Sequence, residues 1–411
     1  MAVVTVEEAL QLWEKALDTQ VYKVEMIDVK SAKGYVLAED IVAPTDVPAF
    51  PKSAMDGYAI AFSADCNEYI VDGVIGAGVV WEQPVALGHA VRIMTGAPIP
   101  DTCDTVIMQE QVIGSGEPGT TITIQGKYKC GDHIIPQGEE CSAGTIVIPR
   151  GTEVTSTVQT ILTGLGLTEV IVNVMPRVLV LTSGHEVIEP GESLTPGKIY
   201  NSNRAMICGL LEDLGFHKIT HYHVSDAPEE LESEINHVLK LSEEVDIIIS
   251  SGGVSVGLFD TMPLIYEKLG AQSIYARIQM RPGAASYGAV TPKGQIIFGL
   301  SGNPGAAFNG WHLIVAPTLK RYKGLANWTT PVVACVMDSE IFKRNAFDRY
   351  VQGKVIFGGG APRFVANRHF NSSSMLGLYT VNALACIPRG VHEVHPGDTF
   401  DVYLLGLLPA V

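Results

Sequence analysis

The chain has 411 residues, and its 28 Lys and Arg against 44 Asp and Glu give a net charge of −16 at pH 7. This acidic balance disfavours a protein that binds nucleic acid without sequence preference, because such binding needs cations that neutralise phosphates. Hydrophobic residues make up 46% of the chain and charged residues 18%, which excludes disorder as the main state. The 42 Gly and 23 Pro predict a mixed α/β chain with many turns.

No apolar stretch approaches the roughly 18–20 residues that a membrane-spanning helix needs. The first residues lack the basic segment of a secretory signal and soon include Glu7 and Glu8. The seven cysteines form no CxxC pair, which disfavours zinc and iron–sulfur sites and predicts reduced, mostly buried thiols. We therefore expect a cytoplasmic protein with neither a membrane nor a nucleic-acid partner.

The N-terminal half predicts a β-rich insertion between two segments of different character. Thr5 and Glu8 have capping-box spacing, and apolar residues then recur every three to four positions, which predicts an opening helix. From about Ile41 to Lys129, prolines, glycines and short β runs predict a compact β unit. Helical spacing returns from Gly151 to Leu167. We expect a discontinuous N-terminal linker domain over residues 1–44 and 138–174 and an inserted β-rich domain over residues 45–137.

The C-terminal half predicts two further domains. From Arg177 onwards, apolar β runs alternate with helical segments, a pattern typical of a mainly parallel, three-layer α/β domain. The last of these helices is expected to begin with Asn303 as its cap and Pro304 in its first position. We place the α/β domain at residues 175–324 and a small C-terminal β domain at residues 325–411.

Polar and glycine-rich motifs follow three of the predicted parallel strands, where open α/β sheets bind their ligands. The motifs are SGHE (183–186), SSGGVSVG (250–257) and SGNP (301–304). Glycines let backbone amides approach an anion, serines add donors, and a helix N-terminus adds a positive dipole. Together the motifs predict a cradle for a phosphate or another oxyanion.

Each motif also has a plainer interpretation. SSGGVSVG could be a tight turn, and the absence of GxxxxGK[ST] and GxGxxG disfavours a nucleoside triphosphatase or a dinucleotide dehydrogenase. Asp226 and Asp260 could share one Mg²⁺, or each could cap the following helix. Glu186 is hard to explain structurally at a strand end, which favours a function, whereas His185 is less often catalytic than structural. Asp56-Gly57 and Thr95-Gly96 are turn signals by themselves.

Taken in order along the chain, these motifs resemble the molybdopterin molybdenumtransferase family, known as MoeA in bacteria and as the E domain of gephyrin. The resemblance covers nearly the whole chain. Its most specific motifs are SAMDGYA, RIMTGAP and SSGGVSVG, and it also includes VIMQEQ, GEECSAGTIVIPRGT, SGHEV, IYNSNR, RPG, GLSGNPGAAF, FDRYVQG and the Asn371-Ser372 turn.

The resemblance implies a multidomain α/β plus β fold. Its central α/β domain binds molybdopterin and is similar to the MoaB/MogA proteins, and its C-terminal domain is similar to a β-barrel. It also implies an elongated homodimer with a cleft between the α/β domain of one subunit and the β domain of its partner. The implied reaction inserts molybdenum from molybdate into adenylylated molybdopterin, with Mg²⁺ as cofactor and release of AMP. The implied partners are the adenylyltransferase that makes this substrate and the apo-molybdoenzymes that receive the product.

The family's functional residues carry over to positions in all parts of this chain. Asp56 and Thr95 would line the cleft from the second subunit, Asp226 and Asp260 would hold Mg²⁺, and Glu186 and Glu140 would be cleft acids. The positions implied for substrate binding are Ser251, Gly252, Gly253, Ser255, Arg277, Arg281, Ser301, Asn303, Pro304, Arg349 and Ser372.

The chain departs from the family pattern at the positions implied for molybdate. Ala284 stands where many members have Lys, and Ala306 where Ser is frequent, while Ser301 replaces a Pro and could restore one hydroxyl. Each lost donor would weaken anion binding by about 1–3 kcal/mol. The alternatives are therefore a non-catalytic molybdopterin scaffold or carrier and an enzyme that uses tungstate. An adenylyltransferase is disfavoured by the extra β domains.

Overall fold

The computed structural model describes residues 3–253, 261–343 and 346–406. The chain forms two compact units. The first comprises Met1–Ala38, Gly151–Gln159 and Glu169–Val411, and the second comprises Glu39–Arg150 and Thr160–Thr168. The chain thus leaves the first unit at residue 38 and returns to it at residue 151.

The helices follow the predicted segments closely. The capping box forms as predicted, with the Thr5 amide donating to Glu8 Oε2 at 2.8 Å and the Glu8 amide donating to Thr5 Oγ1 at 3.1 Å. A π-helical turn, Trp311–Val315, joins the last two α-helices into one helical run. The α-helices are α1 (Val6–Leu17), α2 (Ser156–Gly164), α3 (Ser202–Asp213), α4 (Leu231–Ser242), α5 (Met262–Lys268), α6 (Pro304–Gly310) and α7 (Ala316–Tyr322). Short 3-10 turns lie at Val29–Ser31, Gln109–Gln111 and Leu378–Thr380.

A mixed sheet of six described strands organises the first unit. Four neighbouring strands are parallel, and two antiparallel strands extend one edge. Alternate residues of the buried strands pack against different helices, so the sheet lies between two helical layers. This arrangement confirms the predicted three-layer α/β architecture. The strands are, in sheet order, Ile219–Val224, Val178–Ser183, Ile247–Ser251, Ile296–Leu300, Tyr287–Val290 and Gln272–Tyr275.

The N-terminal segment packs onto this sheet rather than standing apart from it. The strand Val3–Val4 pairs in parallel with Arg277–Ile278. Trp13 of α1 is fully buried, its ring lies 4.7 Å from that of Phe298, and its Nε1 donates to the Tyr275 hydroxyl at 3.4 Å. A residue near the start of the chain therefore completes a core built mainly from its second half.

A closed barrel of five strands follows the α/β layers in the same unit. Its first and last members in sheet order also pair with each other, which closes the ring. The interior is apolar, as in other small barrels that side chains fill. The strands are, in order around the ring, Asp348–Ile356, Arg363–Ala366, Val332–Met337, Thr399–Leu404 and Ala383–Ile387. The short strand Met280–Arg281 joins the barrel outside the ring.

The second unit is rich in β structure, in keeping with its proline and glycine content. Its larger sheet contains, in order, Thr105–Met108, Gly57–Ile60, His89–Ile93, Glu68–Ile75, Thr121–Ile124 and Val112–Ile113. Its smaller pairs are Lys52–Ser53 with Ile134–Ile135 and Ile41–Val42 with Ile146–Ile148. The described part of the first unit contains three further small pairs: Val24–Asp28 with Glu169–Asn173, Val187–Ile188 with Ile199–Tyr200, and Ile341–Phe342 with Glu393–Val394.

Helix length and the state of the cysteines can both be read from the described residues. Among the described residues, no helix combines the length and apolar character that crossing a bilayer requires. All seven cysteines lie in the described part of the chain and are free. The expectation that most of them are buried is wrong, because only Cys103 and Cys335 are buried and the others are partly or fully exposed.

Candidate active site

An open cleft of about 610 Å³ lies at the carboxyl ends of the parallel strands. We call it the strand-end cleft. All three motifs that sequence analysis placed after these strands contribute to it. Its described lining includes Ser183–Val187, Asn201, Asn203, Asp226, Ser251–Gly253 and Ser301–Pro304.

The glycine pair of the cleft is required by the backbone. Gly252 and Gly253 have φ values of +89° and +59°, which residues with a Cβ rarely adopt. A Cβ on Gly252 would lie 2.7 Å from the Ser183 carbonyl oxygen, and one on Gly253 would lie 2.8 Å from Ser183 Oγ. The loop can therefore lie directly against the neighbouring strand end, where its backbone borders the cleft.

Gly252→Ala is expected to lower the free energy of unfolding by at least about 1–2 kcal/mol, the cost of a left-handed residue that carries a Cβ. The close approach to Ser183 adds to this cost. Gly209→Ala is the matched control, because a Cβ at Gly209 in α3 meets nothing within 4 Å. The control should be neutral or stabilising in urea denaturation. Equal stability of Gly252→Ala and wild type would contradict this account.

Ser251 links two neighbouring segments of the cleft by hydrogen bonds. Its hydroxyl accepts a hydrogen bond from Asn203 Nδ2 at 2.8 Å and donates to the Ser301 carbonyl at 3.1 Å. Its side chain is buried. Ser251 therefore ties two strand ends together. Ser255, which was expected to bind substrate, lies outside the described residues.

Asn203 and Asn201 of the IYNSNR motif are cleft residues that sequence analysis quoted without giving them a role. Asn203 Nδ2 also donates to the Gly302 carbonyl at 2.8 Å. Asn201 caps α3 by accepting from the Arg204 amide at 3.2 Å. Their position at the start of a predicted helix that follows a β run was the available signal.

A cluster of polar side chains is hydrogen-bonded to Asn201. Asn201 Nδ2 donates to Thr182 Oγ1 and to Glu189, and Thr182 Oγ1 is within 3.1 Å of His221 Nε2. Burial, reinforced by the Arg204 guanidinium, lowers the pKa of His221 to about 4, so this imidazole is neutral at pH 7. Burial opposes ionisation of Glu189, but hydrogen bonds from Asn201 and Arg204 hold the pKa of its carboxyl below the usual value.

Asp226 and Glu186 bring carboxylates to the strand-end cleft. Asp226 Oδ2 lies 3.8 Å from His185 Nδ1, and Glu186 Oε2 lies 3.7 Å from the same nitrogen. The side chain of Asp226 is only 14% exposed, yet its Oδ1 has no hydrogen-bond partner within the described residues. The interpretation of Asp226 as a helix cap is wrong, because α4 starts at Leu231 with Glu230 in the cap position.

The fit of these residues to Mg²⁺ rests on Asp226. Over residues 3–253, 261–343 and 346–406, no three His, Cys, Asp or Glu side chains converge as a metal site. Mg²⁺ does not need such a cage, because it retains waters and uses one or two carboxylates together with substrate phosphates. An unpartnered carboxylate oxygen beside a cleft large enough for a phosphate-bearing substrate suits that requirement. Asp260, the second predicted ligand, lies outside the described residues.

A second cleft, of about 1010 Å³, lies between the α/β layers and the barrel. We call it the arginine cleft. It contains three predicted cations, Arg277, Arg281 and Arg349, together with Ser372. It shares Ala285, Ser301 and Asn303 with the strand-end cleft, so the two clefts adjoin along this wall.

Strand pairing explains why the arginines are close together. Met280–Arg281 pairs in parallel with the first barrel strand, which places Arg281 opposite Arg349. Burial, reinforced by the positive charge of Arg281, lowers the pKa of Arg349. The Arg281 guanidinium lies 5.8 Å from the centre of the Phe347 ring. In a chain of net charge −16, this clustering of cations favours an anionic ligand.

Lys343 adds a cation that sequence analysis missed. Its Nζ donates to Asn371 Oδ1 at 3.0 Å and lies 4.4 Å from the centre of the Phe370 ring. Asn371 and Phe370 both line the arginine cleft. Lys343 therefore supplies positive charge beside two residues of the arginine cleft.

The start of α6 forms the wall between the clefts. The helix begins at Pro304 with Asn303 in the cap position, as predicted. Ser301 Oγ accepts a hydrogen bond from the Asn303 amide at 3.3 Å. The Ala306 amide donates to the Ser372 carbonyl at 3.1 Å. At this position the helix is thus joined to Ser372 by a backbone hydrogen bond.

In the second unit, Asp56 and Thr95 lie together. The Thr95 amide and hydroxyl each donate to Asp56 Oδ1 at 2.7 Å. These two hydrogen bonds lower the pKa of Asp56, so its carboxylate is ionised at neutral pH. Glu140 is exposed in the same unit, with its amide bonded to the Val47 carbonyl at 2.9 Å.

Two family models match the chain over most of its first 321 residues. Residues 4–166 match the family described as MoeA N-terminal region (domain I and II), and residues 179–321 match the family described as probable molybdopterin binding domain. The molybdopterin molybdenumtransferase of Staphylococcus epidermidis is 36% identical over 92% of this chain and 90% of its own length. The Staphylococcus aureus protein of the same name is 34% identical over the same shares.

Solved structures agree with these matches. A crystal structure of the molybdopterin biosynthesis moeA protein from Pyrococcus horikoshii OT3 has a TM-score of 0.80 and 26% identity, covering 98% of this chain and 100% of that one. A second structure of a moeA protein from Pyrococcus gives 0.78 and 25% over 99% and 100%. These findings confirm the resemblance and the fold class read from the motifs. The chain belongs to the molybdopterin molybdenumtransferase family.

Proposed function

We propose that this protein is a molybdenum insertase of molybdenum cofactor biosynthesis. It takes molybdate and adenylylated molybdopterin, places the metal at the dithiolene and releases AMP. The observation that carries this proposal is the shared wall of Ala285, Ser301 and Asn303 between the strand-end cleft and the arginine cleft. Two anionic reactants can bind side by side across such a wall.

The strand-end cleft is proposed to hold the pterin phosphate and the AMP moiety. The backbone of Gly252 and Gly253 borders this cleft, and the start of α3 adds the helix dipole. Asp226 would hold Mg²⁺ there, with Glu186 beside it and Asp260 as the second carboxylate implied by the resemblance. Bound Mg²⁺ supplies the positive charge that the phosphate of a departing AMP requires.

The arginine cleft is proposed to hold molybdate. Arg281 and Arg349 can each present a planar pair of donors to an oxyanion, and Ser372 adds a hydroxyl. The neighbouring Lys343 offsets the lysine that is missing at Ala284. This local positive charge favours the insertase over the scaffold alternative, which Ala284 and Ala306 had suggested.

Assembly and cellular setting complete the proposal. We propose a cytoplasmic homodimer of four-domain chains, with boundaries at residues 1–44 and 138–174, 45–137, 175–324 and 325–411. The Asp56 carboxylate, with Thr95 hydrogen-bonded to it, would then enter the active cleft from the partner subunit. Exchange with a molybdopterin adenylyltransferase and with apo-molybdoenzymes follows from the same reaction.

The homodimer predicts a light-scattering mass of about twice that of one chain, 44.1 kDa, at micromolar concentration. Asp56→Ala should leave this mass unchanged while lowering the rate of AMP release. A monomer would contradict the shared cleft and remove the proposed role of Asp56.

The reaction itself is tested by mixing the protein with adenylylated molybdopterin and Mg²⁺ and following AMP with and without molybdate. Release that depends on molybdate supports the insertase. Bound pterin without AMP release under either condition would replace it with the scaffold. A parallel series with tungstate measures the choice between two oxyanions of nearly equal size.

A further inference from the structure

A buried polar network joins the barrel to α6. Gln352 Nε2 donates to the Gly305 carbonyl and to Asn309 Oδ1, both at 2.8 Å. Asn309 Nδ2 donates in turn to the Tyr350 carbonyl at 2.9 Å. Gln352 is 1% exposed and Asn309 is fully buried. Side chains on both sides of the junction therefore fix each other's orientation.

A second contact joins the same helix to the Asn371–Ser374 turn. A Cβ on Gly305 would lie 2.7 Å from the Asn371 carbonyl oxygen and 3.1 Å from the Ser372 carbonyl oxygen. The turn thus lies directly on the helix, and the Ala306 amide bonds to its Ser372 carbonyl. No side chain larger than glycine fits at Gly305 without moving the turn.

The two contacts hold the parts of the arginine cleft in register. Gln352 lies three residues after Arg349 on one strand, and Gly305 lies two residues after Asn303. A shift of the barrel along α6 would move Arg349 and Ser372 away from the helix N-terminus. Rigid hydrogen bonds prevent such a shift, whereas apolar packing tolerates sliding.

The chemistry of the junction points to positioning rather than to stability. Gln352 Oε1 is buried and has no hydrogen-bond partner within the described residues. An unpartnered buried oxygen destabilises a fold, so an apolar residue of similar volume would suit a purely structural role better. The donors of the same amide are both used, which sets its geometry.

We infer that Gln352 and Asn309 are positioning residues for the oxyanion: they fix the barrel on α6 and so hold Arg349 and Ser372 in place in the arginine cleft. This inference rests on the proposed function of the arginine cleft. It predicts that damage to the junction affects molybdate far more than pterin, because the strand-end cleft is built without the barrel.

The test uses the full-length variants Gln352→Leu and Gly305→Ala, which disturb the junction by different means. Molybdate affinity is measured by calorimetry, and the KM for molybdate is measured in AMP release at saturating pterin. We expect the Kd and the KM for molybdate each to rise roughly 10- to 100-fold, the scale of loss when a binding group is misplaced by about 1 Å. The affinity for molybdopterin should stay at the wild-type value.

Asn382→Leu is the control for general damage to the barrel. Asn382 Oδ1 accepts from the Val355 amide at 2.8 Å inside the barrel. If it lowers the melting temperature as much as Gln352→Leu but leaves molybdate binding intact, the positioning role is supported. Equal loss of molybdate affinity in both variants, or wild-type affinity in Gln352→Leu and Gly305→Ala, would overturn it. Wild-type protein that neither binds molybdate nor releases AMP would refute the proposed function itself, so the two failures are distinguishable.

Discussion

Asp226→Asn is expected to lower the rate of molybdate-dependent AMP release by about 100- to 1,000-fold, the loss typical of removing one preorganised electrostatic partner. The substitution keeps the shape of the side chain and removes its charge. Asp226 is largely buried, and its Oδ1 has no partner in the described part of the chain. The neutral amide would therefore hold a divalent cation poorly while leaving the fold intact.

Stability separates a binding role of Asp226 from a structural one. Burying a carboxylate oxygen that has no hydrogen-bond partner costs free energy, so the melting temperature of Asp226→Asn should equal or exceed that of wild type. Glu212→Gln is the matched control, because Glu212 is an exposed acid on α3. A clear fall in melting temperature, or a near wild-type rate with an unchanged Mg²⁺ requirement, would contradict the proposed role of Asp226.

Arg349→Met should raise the Kd and the KM for molybdate about 10- to 100-fold, since hydrogen bonds to charged groups contribute about 1.5–3 kcal/mol. Arg349 lies in the arginine cleft opposite Arg281, so the substitution removes one of two neighbouring cations. Arg349→Lys should recover only part of the affinity, because an ammonium cannot bind an oxyanion with two parallel donors.

Arg363→Met controls for the loss of one positive charge from the barrel. Arg363 is exposed and pairs with Asp338 at 3.2 Å, a surface contact of small energetic value. Calorimetric titration with molybdate at constant ionic strength should show wild-type affinity for this variant. Similar weakening in both variants would mean that net charge, rather than the site, attracts the anion.

Local pattern was enough to predict the α/β layers. The strands Val178–Ser183 and Ile247–Ser251 are buried on both faces. Their sequences are therefore continuous apolar runs, without the alternation of apolar and polar residues that marks a half-exposed strand. The capping residues Thr5 and Asn303 were also predictable from their neighbours, Glu8 three residues after Thr5 and Pro304 directly after Asn303. The strand-end cleft then follows, because the topology of parallel strands collects their carboxyl ends at one edge.

Long-range contacts account for what the sequence left open. In the C-terminal segment, short apolar runs separated by turn residues predict β structure. They do not predict that Asp348–Ile356 pairs with Ala383–Ile387, the pairing that closes the barrel. Lys343 has no local signal and acquires its role from Phe370 and Asn371. Asp226 followed the rule for helix caps locally, yet α4 starts several residues later.

The pairing of Val3–Val4 with Arg277–Ile278 sets an order for folding during translation. The partner strand leaves the ribosome about 270 residues after the N-terminal one, which at roughly 5–20 residues per second is a delay of about 15–55 s. The second unit can fold in this interval, because the segment Glu39–Arg150 contains most of it. The apolar face of α1, with Trp13, stays exposed until the strands that bury it, including Phe298, have been synthesised. Nascent chains stalled before the strand at Tyr287–Val290 should therefore bind chaperones through this helix.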